Sequence, residues 1–102
     1  METEQCKSLA LMLMKQFHLD DWTFEFDYEK VRFGCCFYRQ RKISMSKLLV
    51  ILNEENVVKD TILHEIAHAL TPYNGHGTQW RNVCNAIGCK PKACYSMHEV
   101  RT

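Results

Sequence analysis

The chain has 102 residues and a mass of 12.0 kDa, with 13 Lys+Arg against 12 Asp+Glu and a formal net charge of +1. One domain over residues 1–102 is expected at this length, with roughly two-thirds of the unfolded surface buried on folding. A hydrophobic fraction of 46% and a charged fraction of 25% exclude a disordered or low-complexity chain; the near-zero total charge argues neither for nor against a nucleic-acid partner.

In chain order, residues 3–18 read as an amphipathic helix. Leu9, Leu13 and Phe17 recur at helical spacing, with Cys6, Ala10 and Met12 beside them, and Asp20-Asp21 ends the run. Residues 22–28 alternate aromatic and polar side chains, the period of a half-buried strand. Residues 31–38 form a second strand and 43–46 a third, with Glu29-Lys30 as a turn, so a small three-stranded antiparallel meander is predicted. Phe33, Cys35 and Phe37 share one face of the second strand, and Gly34, Cys36 and Tyr38 the other. Residues 47–52 make a helical turn. Asn53-Glu54-Glu55 supplies an N-cap and acids for a long helix over 54–70. Val58, Ile62, Ile66 and Leu70 form one stripe of that helix, Leu63 and Ala67 another, as in a central buried helix. Thr71-Pro72-Tyr73-Asn74-Gly75 breaks it, and a last helix spans 78–87 before Gly88. The tail beyond Pro91 reads as irregular. The fold class is therefore α+β.

No stretch approaches the ~20 apolar residues of a membrane span; the longest apolar run is residues 9–14. The acidic start, Met1-Glu2-Thr3-Glu4-Gln5, is unlike a signal peptide, so an intracellular (cytoplasmic) protein without a membrane partner is expected. In such a reducing setting the six cysteines are thiols or metal ligands rather than disulfides.

Chemistry concentrates in Leu63-His64-Glu65-Ile66-Ala67-His68-Ala69-Leu70, an H-E-x-x-H pattern inside the most apolar helix. Residues four apart lie on one helical face, so His64 and His68 can offer two imidazoles to one ion, with Glu65 beside it as a general base. Burying two His and a Glu without partners would cost several kcal/mol, a cost that a zinc ion resolves. A catalytic zinc needs a third ligand and an open position. His76, in Asn74-Gly75-His76-Gly77, is the first choice, and Glu99 is an alternative. The metzincin spacing would require Gly at Thr71 and His at Asn74, and both fail. Cys84, Cys89 and Cys94 recur every five residues ahead of His98, a candidate second metal site that departs from the tighter usual spacing. Cys84 and Ile87 equally suit a buried helix face, and Trp80 is expected to pack the last helix on the H-E-x-x-H helix.

The H-E-x-x-H segment followed by Gly75-His76-Gly77-Thr78-Gln79-Trp80-Arg81 resembles the SprT-like (Spartan-type) metalloprotease domain family. Phe33-Gly34-Cys35-Cys36-Phe37-Tyr38-Arg39, Ile43-Ser44-Met45-Ser46 and Cys84-Asn85-Ala86-Ile87-Gly88-Cys89-Lys90-Pro91 are similar to it as well. The resemblance covers about residues 22–94. It implies a zincin-like α+β fold and a zinc-dependent peptidase acting on proteins bound or crosslinked to DNA. It places one catalytic zinc on His64, His68 and His76, with Glu65 as general base. The implied chemistry is metal-assisted hydrolysis, in which Glu65 takes the proton of the attacking water and passes it to the leaving amine. Tyr73 and Tyr38 are candidate oxyanion helpers. Many members carry a C-terminal zinc ribbon with paired cysteines; this sequence has no C-x-x-C pair, and the domain is expected without that ribbon.

Charge is unevenly spread. Residues 1–30 hold three bases against seven acids, whereas residues 31–47 hold Arg32, Arg39, Arg41, Lys42 and Lys47 and no acid. This basic stretch supplies candidate contacts to single- or double-stranded DNA, or else a solvated face. A monomer acting on protein substrates is expected. Two other readings are a non-catalytic zinc-containing DNA-binding or regulatory module and a YbeY-type zinc nuclease. The nuclease spacing is H-x₃-H-x₅-H, and here seven residues separate His68 from His76.

Overall fold

The computed structural model describes residues 1–72 and 75–91. Tyr73, Cys94, His98 and Glu99 lie outside the described residues, as does the tail beyond Pro91. The elements run α1 (Thr3–Gln16), β1 (Thr23–Asp27), β2 (Gly34–Phe37), β3 (Lys42–Ser46), α2 (Lys47–Leu52), α3 (Glu55–Leu70) and α4 (Thr78–Ile87). No helix among the described residues is long and apolar enough to cross a membrane.

Helix α1 buries Cys6, Ala10, Leu13 and Met14, one face at i, i+4, i+7 and i+8. Met14 takes the inward place expected of Met12, which is exposed. The helix ends short of Asp20 because His18 turns left-handed, at φ 64°. Its N–H reaches the Lys15 carbonyl at 3.1 Å and the Leu19 N–H reaches that of Met14 at 2.8 Å. This paired closure satisfies the last carbonyls and returns Leu19 to the core.

The sheet is mixed, not an antiparallel meander. Its order is β1-β3-β2: β1 runs parallel to β3, with Phe24 opposite Ile43, and β2 runs antiparallel to β3, with Cys36 opposite Ile43. Two physical features decide this. All of Ile43, Ser44, Met45 and Ser46 are buried, and a strand covered on both faces belongs in the middle. β1, with Thr23 and Glu25 exposed, suits an edge. Residues 28–33 are also too many for a two-residue hairpin, and they are held open by β3 itself. The Ser46 hydroxyl donates to the Glu29 carbonyl at 2.6 Å, and its N–H donates to the Phe33 carbonyl at 2.7 Å. The Ser44 hydroxyl donates to Asp27 Oδ2 at 2.6 Å. The chain thus passes over the place of the middle strand, makes β2 on the far side, and returns as β3. Residues 31–33, read as strand, belong to that loop.

Helix α3 packs against α1, α4, β2 and β3. Val58, Ile62, Ile66 and Ala67 are fully buried, while Leu70 surfaces at the end. Asn53 is not its N-cap. The Asn53 amide instead donates back to the Leu49 carbonyl at 2.7 Å and closes α2, leaving Glu54 at the cap position of α3. Helix α4 ends as expected at Gly88, whose φ of 92° is one that glycine adopts without strain.

Ser46 joins three elements at once: it ends β3, accepts from the Leu49 N–H at 3.2 Å as the N-cap of α2, and pins the 28–33 loop. Ser46→Ala removes a cap and a buried hydrogen bond, and should cost about 1–3 kcal/mol of unfolding free energy in urea titrations.

Candidate metal centre

Helix α3 carries His64, Glu65 and His68 where its surroundings are most buried. Past the break at Thr71-Pro72, the chain returns through Gly75, whose φ is 61°, and sets His76 just ahead of α4. The three imidazoles meet. His68 Nε2 lies 3.2 Å from His64 Nε2 and 3.1 Å from His76 Nε2, and the potential ligand atoms of all three residues lie within 4.8 Å of one another. Zinc binds imidazole nitrogen at roughly 2.0–2.1 Å, so nitrogens sharing one ion sit at most about 4 Å apart. The two close Nε2 pairs meet that limit, and the donor set suits a borderline-soft divalent ion. Among the described residues, this is the one group of three or more His, Cys, Asp or Glu side chains that converges on a point.

The site grades from core to solvent: His64 is buried, His68 half-buried and His76 exposed. Burial, with the neighbouring imidazoles adding to it, lowers the His64 pKa to about 4, and His68 is lowered to about 4 for the same reasons. Both rings are therefore neutral at physiological pH and keep lone pairs for a metal.

Glu65 is 6% exposed. Burial pushes its carboxyl up to about 8, opposed by the positive charge of Arg32. The carboxyl lies against β2 at Gly34, where a Cβ would come 3.1 Å from Glu65 Cγ, 3.2 Å from its Oε2 and 2.9 Å from Met45 Sδ. A side chain there would push Met45 Sδ aside and crowd the Glu65 carboxyl, so glycine lets the strand pass this close without displacing either. Gly34 was legible in the sequence as a strand residue but not as the neighbour of Glu65. Cys36, on the same face of β2, is pushed up to about 12 by burial, with the Glu65 charge adding.

Trp80 is the site residue whose extent the sequence understated. It does pack α4 on α3, but its ring also touches all three histidines. Centroids lie 4.8 Å from His64, 5.2 Å from His68 and 4.7 Å from His76, with the His68 pair stacked at 22°. The four-residue spacing from His76 to Trp80, across the start of α4, was the available signal.

The remaining candidates distribute as follows. Tyr38 is half-buried at the turn between β2 and β3. Cys84 and Cys89 are buried at the end of α4, where their thiols share a hydrogen bond and burial raises both. Of the five basic residues, three face acids. Arg41 pairs with Asp21, Lys42 with Glu25 at 2.8 Å, and Arg32 with Glu29 at 3.8 Å and Asp27 at 4.0 Å. Lys42 and Arg32 also lie over the Phe37 ring, at 4.7 and 6.0 Å. Arg39 is exposed and Lys47 half-buried.

Three imidazoles converging beside a buried carboxyl, on a helix backed by a mixed sheet, define an α+β protein built around a candidate metal centre. The SprT-like family model matches residues 3–99, and the chain belongs to the SprT-like family. No curated protein sequence matches it. Among solved structures it is similar to the metallopeptidase zymogen of Methanocaldococcus jannaschii jannalysin, at 18% identity and a TM-score of 0.68, over 92% of this chain and 85% of that one. At that identity the likeness is one of fold.

The raised carboxyl makes a pH-dependent prediction for metal-free protein. Folded Glu65 holds its proton up to about 8, whereas an unfolded one releases it above about 4.5. Glu65 therefore lowers stability progressively as pH rises through that window. His64 and His68 act in the opposite sense, lowering stability as pH falls from 6.5 toward 4. Glu65→Gln removes only the first effect. It should raise the Tm of chelator-treated protein at pH 8 by more than at pH 5; an equal shift at both would contradict the assigned burial cost.

Proposed function

We propose that this chain is a zinc-dependent metallopeptidase that hydrolyses peptide bonds, with His64, His68 and His76 as ligands and Glu65 as general base. The observation that carries the reading is the convergence of three imidazole nitrogens next to a buried carboxyl on the same helix. Membership of the SprT-like family and the fold shared with a metallopeptidase zymogen support it.

When bound, zinc would polarise the scissile carbonyl, acidify water to a pKa of about 7 and favour the ionised form of a neighbouring carboxyl. The chain's own residues supply the rest. His64 and His68, held neutral by burial, serve as ligands without first losing a proton. Exposed His76 leaves the solvent side of the site accessible. Glu65 takes the proton of the attacking water and returns it to the departing amine, and its buried position holds the carboxyl in one place for both transfers. Gly34 keeps β2 against that carboxyl. Because β2 is an edge strand, an extended substrate can add to it by backbone hydrogen bonds and lie across the helix that bears Glu65.

The cleaved proteins are, in this reading, ones bound or crosslinked to DNA. The resemblance to Spartan-type domains and the exposed Arg39, with Lys47 on the same basic stretch, support it. The acid pairs of Arg32, Arg41 and Lys42 leave DNA a weaker hold than five unpaired bases would.

Glu65→Gln should retain stoichiometric zinc and lose cleavage by roughly 10²–10⁴-fold, whereas His64→Ala should lose both. Normal turnover by Glu65→Gln would eliminate the assigned base. The substrate class is checked separately, by digesting a DNA-bound protein with and without DNA and with chelator. Cleavage should need the metal and rise with DNA; metal-dependent cleavage indifferent to DNA would leave the peptidase standing and remove the DNA reading.

A further inference from the structure

Histidines that ligate metals are usually oriented by a hydrogen bond from the second ring nitrogen to a carboxylate, a carbonyl or water. Here the ring hydrogen-bond contacts of His64, His68 and His76 among the described residues are the close Nε2 contacts between the rings themselves. No protein partner orients the Nδ1 side within that set. What all three rings share is the Trp80 indole, fully buried, with every centroid between 4.7 and 5.2 Å. The His64 and His76 rings meet it edge-on, at 69° and 78°, and the His68 ring lies nearly parallel at 22°. Edge-to-face and stacked ring contacts at these separations are favourable and directional.

The rings also reach the indole from different parts of the fold. His64 and His68 come from α3, His76 from the segment that follows the end of that helix, and Trp80 from the first turn of α4. A single rigid side chain in contact with all three can fix the relative orientation of ligands that the backbone alone places independently. Trp80 is held in turn by the core, where it is among the largest fully buried side chains.

We propose that Trp80 is the positioning residue of the metal centre: its indole is a common wall that sets the ring planes of His64, His68 and His76 before an ion enters. The proposal rests on the reading of these histidines as metal ligands. It assigns to aromatic packing the orienting task that hydrogen bonds perform in other sites, and it makes the metal-free site preorganised.

Two measurements test it. Trp80→Phe keeps an aromatic core residue but shortens the wall. The variant should stay folded by circular dichroism, bind zinc about 10–100-fold more weakly in competition with a chromophoric chelator, and give a visible cobalt(II) spectrum altered from that of the parent. A folded variant with parental zinc affinity and an unchanged cobalt spectrum would overturn the proposal. If the parent protein binds neither zinc nor cobalt, it is the metal-site reading that fails. Should Trp80→Phe not fold, the decision passes to zinc-free parent protein by NMR. Its three histidine ring signals should be sharp and dispersed by the indole ring current, and coincident, unstructured shifts would sink the idea.

Discussion

The structure turns on polar groups placed where water has been removed. Helix α3 is buried along most of its length, yet its buried surface includes an imidazole and a carboxyl, with a second imidazole half-buried beside them. Unpartnered, each would oppose folding. The fold answers by making them neutral and by crowding them together. His64 and His68 are held below their ordinary pKa and Glu65 above it, all chiefly by burial. The same desolvation that lowers stability leaves imidazole lone pairs open to a cation and a carboxyl poised near neutrality, and stability is exchanged for chemistry at a single helix.

Much of the remaining architecture serves that helix. β3 is the central strand because it is covered on both faces, and its placement sends β2 to the edge beside α3. Gly34 then lets the strand approach Glu65. Ser46 ties the end of β3 to the loop that precedes β2, so the register of the edge strand and the start of α2 are set by one hydroxyl and one amide. Helix α4 brings Trp80 under the three rings. The opposite charges of the N-terminal third and the basic stretch meet across the sheet, as Lys42–Glu25 and Arg41–Asp21, where exposed pairs contribute at most about 1 kcal/mol each. Charge that looks like an unsatisfied basic patch along the chain is partly internal once β1 lies beside β3.

Helix existence, type and most boundaries were legible from local rules: apolar spacing of 3.6, a Gly after α4, a helix break at Thr71-Pro72. The H-E-x-x-H pattern was legible for the same reason, since residues four apart in one helix must share a face. Strand order was not. Alternation in residues 22–28 reports that one face is buried, but it is silent about which neighbour supplies the hydrogen bonds. Short strands in sequence suggested two hairpins; the β2–β3 hairpin formed, but full burial of four consecutive β3 residues, a tertiary property, overruled the one between β1 and β2. Asn53 shows the same limit at smaller scale, because its side chain can accept from an N–H of the next helix as N-cap or donate to a carbonyl of the previous one, and only packing decides which partner is near.

By itself the sequence determined that an α+β chain would carry two histidines and a glutamate on one face region of its most apolar helix, with a third histidine a short turn away. Those statements depend on spacing along a single element. Only the tertiary structure decided that His76 returns to within 3.1 Å of His68, that a glycine in β2 lies on Glu65, and that one indole touches every imidazole. Each of these joins residues on different elements, and their distances are set by how helices and strands pack, which no periodicity in the chain encodes.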